Sequence, residues 1–105
     1  MTRLLTWAGR SSFNYEGSII TGTVIHYGKG YKAFISENKY IELVEHFKGR
    51  IANIGTSHDN PPPGSVGDWL MNNVNKVSLA SYVGSILIYE GYAEKLGGPD
   101  LKFFG

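Results

Sequence analysis

Residues 65–90 constrain the fold most strongly, because apolar side chains recur there twice at helical spacing. The first segment begins at Ser65, and Asp68 follows three residues later, a pattern typical of a helix capping box. The apolar residues of this segment then share one face of a helix: Val66, Trp69, Leu70 and Val74. The spacing predicts a helix over residues 65–74.

A second apolar stripe follows after a short connection, residues 75–77. Ser78 is a suitable N-cap and Gly91 is suited to end the helix. The stripe between them consists of Leu79, Val83, Ile86 and Leu87. We therefore predict a helix over residues 79–90. After it, two apolar segments, residues 92–96 and 101–104, flank Gly97-Gly98-Pro99-Asp100, a composition that predicts a terminal β-hairpin.

The first 36 residues have the composition of strands. Two β-rich segments flank Gly28-Lys29-Gly30, which predicts a hairpin around residues 28–30. Ser36 then caps a predicted central helix over residues 37–48, whose apolar stripe is Tyr40, Leu43, Val44 and Phe47. Residues 50–54 resemble a short strand. The predicted fold class is therefore α+β, with an N-terminal antiparallel sheet, a central helix, a helix pair and a C-terminal hairpin.

The composition fits one folded domain over residues 1–105. Hydrophobic residues make up 42% of the chain and charged residues 18%, which supplies enough apolar material for one core. The absence of cysteine excludes disulfides, thiolate catalysis and cysteine-ligated zinc, and it favours a reducing compartment. No apolar segment is long enough for a signal peptide or a membrane span. We therefore expect a cytoplasmic protein without membrane contact.

The order of the C-terminal elements, two helices joined by a short turn and followed by a hairpin, resembles a winged helix-turn-helix over residues 65–104. In that family the second helix presents its N-terminal residues to the major groove of DNA, and the hairpin is the wing. The resemblance implies nucleic-acid contacts from the turn and from one side of the second helix, namely from Lys76, Ser78, Ser81, Tyr82 and Ser85. Hydroxyl groups there could bond phosphates or base edges.

The distribution of charge weighs against nucleic-acid binding by this segment. The chain has a net charge of +1, of which residues 1–63 carry +2 and residues 64–105 carry −1. Neutralisation of phosphates supplies most of the non-specific affinity for DNA, and Glu90 and Glu94 would repel a phosphate backbone. We therefore predict that the protein binds duplex DNA weakly at best.

The densest polar segment is residues 56–60. Ser57, His58 and Asp59 offer a hydroxyl, an imidazole and a carboxylate, the groups of a nucleophile, a base and an orienting acid. Neighbouring side chains in an extended loop point apart, so we favour an Asx-turn at Asp59 and Asn60 instead. If the protein is a small enzyme, His58 and Asp59 are the candidates for acid–base catalysis. No histidine pair has the spacing of a metal motif, and we predict neither a metal nor a cofactor.

Aromatic residues make up 13% of the chain. Four of them fall in the predicted N-terminal strands, near four basic residues: Tyr15, Tyr27, Tyr31 and Phe34, with Arg3, Arg10, Lys29 and Lys32. Aromatic side chains on a sheet can stack single-stranded bases. The alternative, which we favour, is that they fill the core or a dimer interface.

These observations favour a non-enzymatic binding protein that self-associates as a homodimer or higher oligomer, because a small domain cannot bury so many apolar groups alone. The residues outside the helical stripes are the candidates for that interface: Tyr82, Ile88, Tyr89 and Phe104. A small nucleic-acid-binding regulator and a small enzyme using residues 56–60 are the alternatives.

Overall fold

A computed structural model describes all 105 residues and contains seven strands and three helices. In chain order the elements are β1 (Thr2–Leu5), β2 (Ser12–Ser18), β3 (Gly22–Tyr27), β4 (Tyr31–Ile35), α1 (Glu37–Phe47), β5 (Ile51–Asn53), α2 (Val66–Asn73), α3 (Ala80–Tyr89), β6 (Ala93–Gly97) and β7 (Asp100–Phe103). This is the α+β architecture predicted from the sequence, and none of the helices is long and apolar enough to cross a membrane.

The first four strands form the N-terminal sheet, in the order β1-β2-β3-β4 with every neighbouring pair antiparallel. The predicted hairpin joins β3 to β4, and Gly28 and Gly30 in its turn have φ values of 55° and 87°, which favour glycine. Because consecutive strands are neighbours, β1 and β4 are the two edges of this sheet.

The other three strands form the C-terminal sheet, in the order β5-β7-β6. The terminal hairpin is therefore present as predicted, and β5 joins it from a distant part of the chain through pairs such as Ala52 with Leu101. This third strand was predicted as a strand, but nothing in its sequence indicated a partner.

For two of the three helices, the structure confirms the predicted N-cap residue. Ser36 Oγ accepts a hydrogen bond from Lys39 N, and Ser65 Oγ accepts one from Asp68 N. The Asp68 carboxylate closes the first turn of α2 by accepting from the backbone N–H of Gly64. Each of these side chains satisfies backbone donors that a helix N-terminus leaves unpaired.

The predicted cap of the last helix is wrong, because α3 begins one residue later than Ser78 allows. Leu79 occupies the N-cap position, is only 1% exposed, and accepts hydrogen bonds at its carbonyl from the next turn. Burial of the Leu79 side chain sets this start. Ser78 Oγ instead donates to the carbonyl of Ser57, which ties the turn before α3 to the 56–60 loop.

One hydrophobic core of 22 residues lies between the N-terminal sheet, the helices and the C-terminal sheet. Helix α3 is central to it, since Val83, Ile86 and Leu87 are fully buried. On the opposite side, the rings of Phe47 and Phe103 stack at 5.1 Å and join α1 to the C-terminal sheet. Tyr82 of α3 packs against Phe13 and Tyr27 of the N-terminal sheet.

Candidate interaction site

The N-terminal half of α3 packs against the inner face of the N-terminal sheet. The backbone N–H of Trp7, just after β1, donates to the carbonyl of Ser81 at 3.0 Å. The ring of Tyr82 meets Phe13 edge-on with centroids 5.1 Å apart and lies 5.0 Å from Tyr27. Burial raises the pKa of Tyr82. This half of the helix therefore packs on the sheet, with Ser81 and Tyr82 half-buried.

Gly84 allows this close approach. A Cβ atom at this position would lie 2.6 Å from Ile54 and 2.7 Å from the indole of Trp7. Only glycine fits there without moving its neighbours, so the helix lies in close contact with the segments that follow β1 and β5.

The residues suggested by the winged-helix resemblance do not form one exposed surface. Lys76 is exposed in the turn before α3, Ser78 is bonded to the 56–60 loop, and Ser85 Oγ donates back to the carbonyl of Ser81. Ser81 and Tyr82 lie against the sheet, as described above. Among the five residues, only Lys76 is exposed, and the other four are half-buried.

The C-terminal half of α3 borders an open groove of about 410 Å³ that runs along β1. Its walls are mainly apolar: Leu4, Leu5, Trp7 and Ala8 on the strand side, and Ile88 and Tyr89 on the helix side. The side chains of Leu5 and Tyr89 are 60% and 62% exposed. Two of the four predicted interface residues, Ile88 and Tyr89, thus meet β1 residues that sequence analysis did not assign to a site.

Lys95 of β6 forms the polar end of this groove. Its Nζ atom donates to the carbonyl of Trp7 at 2.7 Å and lies 4.5 Å from the centre of the Trp7 ring. The ammonium is thereby held by a hydrogen bond and a cation–π contact. The indole Nε1 of Trp7 donates to the carbonyl of Gly98, so the hairpin fixes this end of the groove.

The outer edge of β1 has no strand beside it. Residues 2–5 pair with β2 on one side only, and none of their backbone groups bonds to another element. An edge of this kind presents N–H and C=O groups to any strand that approaches. The groove and the free edge lie side by side.

Glu90 fixes the end of α3 beneath the sheet. Its two carboxylate oxygens accept hydrogen bonds from the hydroxyl of Tyr15 at 2.6 Å and from the backbone N–H of Ile19 at 3.0 Å. Burial, together with the hydrogen bond to Glu90, raises the pKa of Tyr15 well above its ordinary value. Sequence analysis placed Glu90 where it would repel a phosphate backbone, but this carboxylate is engaged inside the fold.

The other two predicted interface residues lie outside the groove. Tyr82 is packed between aromatic rings, and Phe104 is 47% exposed at the end of the C-terminal sheet, where its N–H donates to the carbonyl of Tyr92. Tyr92 borders a smaller apolar depression of about 230 Å³, together with Ile20 and Ile41. These two apolar depressions are separate, and of the two only the larger adjoins a free strand edge.

The 56–60 loop does not assemble a catalytic group. Ser57, His58 and Asp59 are all exposed, and no hydrogen bond joins their side chains. Ser57 Oγ accepts from the N–H of Asn60 at 3.2 Å, so a serine side chain takes the turn-forming role that was predicted for Asp59. No three His, Cys, Asp or Glu residues lie close enough to hold a metal ion.

The outer face of the N-terminal sheet is polar. One row of cross-strand neighbours consists of Arg3, Asn14, His26 and Lys32, one from each strand. Of the four strand aromatics, only Phe34 is exposed on this face. Tyr15 is buried on the inner face, and the rings of Tyr27 and Tyr31 stack on each other at 5.6 Å. The four aromatics therefore do not form one stacking platform.

Comparisons with known protein families, curated proteins and solved structures found no match to this chain.

Proposed function

We propose that this protein is a non-enzymatic interaction module that self-associates, with two copies pairing along β1 and filling the adjoining grooves. The observation that carries the proposal is the coincidence of an unpaired strand edge with exposed apolar side chains on both sides of the groove. Edge pairing supplies directional hydrogen bonds, and burial of Tyr89 and of the inner-face residue Leu4 supplies the hydrophobic free energy.

A second copy is the occupant that suits this site best. An antiparallel pair formed by one strand and its own copy has two-fold symmetry, which closes the assembly as a dimer. The two N-terminal sheets would join into one continuous sheet, and the exposed ends of the two α3 helices would meet beneath it. Each copy then contributes the same surface patch to the interface.

Charge selects the register of this pairing. A register centred on Arg3 would place two guanidinium groups directly opposite each other, and like charges opposite one another destabilise a strand pair. A register centred on Leu4 pairs the two leucines on the inner face. It also sets Arg3 opposite Leu5 of the second copy on the outer face. We therefore expect the Leu4-centred register.

The other edge of the sheet is a poorer candidate. No groove adjoins β4, and its second residue, Lys32, is a charged residue of the kind that protects natural sheet edges. The difference between the two edges is what makes the proposed dimer specific.

Sedimentation velocity over a concentration series tests the proposal. The wild-type protein is expected to shift from monomer to dimer mass in the micromolar range, and Tyr89→Glu is expected to remain monomeric, since it places a charge in the groove. Two matched controls carry the same charge elsewhere, Phe104→Glu and Ile41→Glu, and both should dimerise like the wild type. A wild-type monomer at high micromolar concentration, or a dimer broken only by Ile41→Glu, contradicts the proposal.

Recognition of duplex DNA through α3 is the competing function, and the order of helices and hairpin after residue 65 favours it. The position of Ser81 and Tyr82 against the N-terminal sheet weighs against it, because a groove-reading helix must be accessible. Fluorescence anisotropy with duplex DNA at physiological salt decides between the two. Sub-micromolar, sequence-selective binding that is lost in Ser81→Ala would favour the DNA-binding function.

A further inference from the structure

The outer face of the N-terminal sheet concentrates positive charge that the rest of the molecule lacks. Residues 1–35 hold four basic residues and one acidic residue, a net charge of +3, whereas residues 36–105 hold six basic and eight acidic residues, a net charge of −2. The near-neutral chain is therefore strongly asymmetric. The core does not use this charge, and in the proposed dimer the charge of Arg3 only sets the register of the paired strands.

The register of the sheet arranges hydrogen-bond donors in a line across this face. Arg3 pairs with Asn14, Asn14 with His26, and His26 with Lys32, so the four side chains project from the same face. With strands about 4.8 Å apart, the line from Arg3 to Lys32 is about 14 Å long. Arg10 and Lys29 extend the positive charge at one end of the sheet, because the β1–β2 and β3–β4 connections lie at the same end.

A single acidic residue interrupts this face, and its charge is already engaged. Glu16 Oε2 lies 2.6 Å from His26 Nε2, and this hydrogen bond lowers the pKa of the Glu16 carboxyl. The carboxylate is thus held at the middle of the donor line, where it opposes any approaching anion. Its removal would leave no acidic side chain on this face.

An exposed aromatic ring stands beside the donors. Phe34 is 67% exposed, lies two residues from Lys32 on the same face of β4, and pairs with Val24 of the neighbouring strand. A flat apolar ring next to a line of cationic and amide donors matches a nucleic-acid strand whose phosphates and bases are both accessible. A duplex would offer the phosphates but not the base for stacking.

We propose that the outer face of the N-terminal sheet binds single-stranded nucleic acid. The phosphates lie along the Arg3–Asn14–His26–Lys32 line and one base stacks on Phe34. The site is complete in one copy of the chain, so it does not depend on dimerisation. If Arg3, Lys32 and the neighbouring Arg10 and Lys29 neutralise three or four phosphates, the binding constant should have a logarithmic salt dependence of about −2 to −3.

Fluorescence anisotropy with a short labelled oligothymidylate tests this site. Arg3→Gln and Lys32→Gln should each weaken binding by about three- to tenfold, with a shallower salt dependence. Phe34→Ala should weaken it by at least about fivefold through the lost stacking. Glu16→Gln should have the opposite effect and tighten oligonucleotide binding by about threefold, because it removes a negative charge from the face. Damage to the fold would not produce such a gain.

Lys48→Gln is the matched control, because it removes an exposed lysine that follows α1 and lies outside the sheet. It should bind like the wild type. Absence of salt-dependent binding overturns the proposal. Equal loss in Lys48→Gln and Lys32→Gln, or duplex binding as tight as single-strand binding with no effect of Phe34→Ala, overturns it as well. Since Tyr89→Glu should keep oligonucleotide binding, failure of this site and failure of the dimer are separable.

Discussion

The two halves of α3 differ in what covers them. Toward its N-terminus the helix is closed: Ser81 is bonded to Trp7, and Tyr82 is packed between rings of the N-terminal sheet. Toward its C-terminus Ile88 and Tyr89 border an open groove beside a free strand edge. The same apolar helix thus fixes the sheet with one half and leaves apolar surface uncovered with the other.

This difference shows that the order of the helices does not by itself determine how accessible each helix is. A helix that follows a short turn and precedes a hairpin has the place of a recognition helix, but its accessibility depends on residues some seventy positions earlier in the chain. Here those residues close the half that would read DNA. The half that stays open is apolar and suits a protein surface better than a phosphate backbone.

The largest loss of stability is expected from a substitution in the N-terminal half of α3, at the point where the helix lies closest to its neighbours. Gly84→Val places a branched side chain where a Cβ alone would lie 2.6 Å from Ile54, so we expect a loss of about 3 kcal/mol in the free energy of unfolding. Urea denaturation measures it. Ser85→Ala, one residue further, is the control and should change stability by less than about 1 kcal/mol. Wild-type stability in Gly84→Val would mean that helix and sheet are not in close contact.

A smaller loss is expected when the aromatic contact of the closed half is removed. Tyr82→Ala should cost about 2 kcal/mol, less than a fully buried aromatic, because the Tyr82 side chain is half-buried. Tyr82→Phe keeps the ring packing, and no hydrogen bond to the hydroxyl is lost, so it should unfold like the wild type. If both variants lose the same stability, the hydroxyl and not the ring carries the contact.

Alkaline pH should lower the free energy of unfolding through the buried tyrosines, by less than Tyr82→Ala does. Burial raises the pKa of Tyr82, and the pKa values of Tyr15 and Tyr40 are raised as well, chiefly by burial. A tyrosine whose pKa in the folded state lies above the unfolded value of about 10 contributes its full stabilisation below about pH 10. It loses this contribution as the pH rises further. We expect stability to be flat with respect to these groups below about pH 9 and to fall above about pH 10. The fall should be shallower in Tyr82→Phe, and equal slopes in the two proteins would contradict this assignment.

The open half should tolerate substitution almost without effect on the folded monomer. Tyr89→Ser removes a side chain that is 62% exposed, so at low protein concentration the free energy of unfolding should change by no more than about 0.5 kcal/mol. Chemical denaturation of dilute protein measures this change. A loss as large as that of Tyr82→Ala would place Tyr89 in the core and remove the distinction between the two halves.

Local sequence signals were sufficient to predict the helices and the hairpins. Ser36 and Ser65 cap their helices through contacts only three residues away, and the apolar stripes depend on spacing within one element. The predicted Ser78 cap failed because burial of Leu79, a tertiary effect, determined where α3 begins.

The candidate site was only partly predictable, since it joins elements that are distant in the chain. Ile88 and Tyr89 were found because they lie off the helical stripe. Leu4 and Leu5 carried no signal beyond a short β-rich segment, and their position beside α3 follows from the packing of Trp7 on Gly84. The donor line from Arg3 to Lys32 required the strand register, which composition does not contain.

Amide hydrogen exchange at low and high protein concentration tests the central claim most directly, because it reports on the two sheet edges in one experiment. A dimer paired along β1 predicts that the amides among residues 2–5 that do not bond to β2 become protected as concentration rises, together with the end of α3. The amides of β4, the other edge, should not change and serve as the internal control. Exchange at β1 that is the same at all concentrations, or protection that appears at β4 instead, would contradict the account.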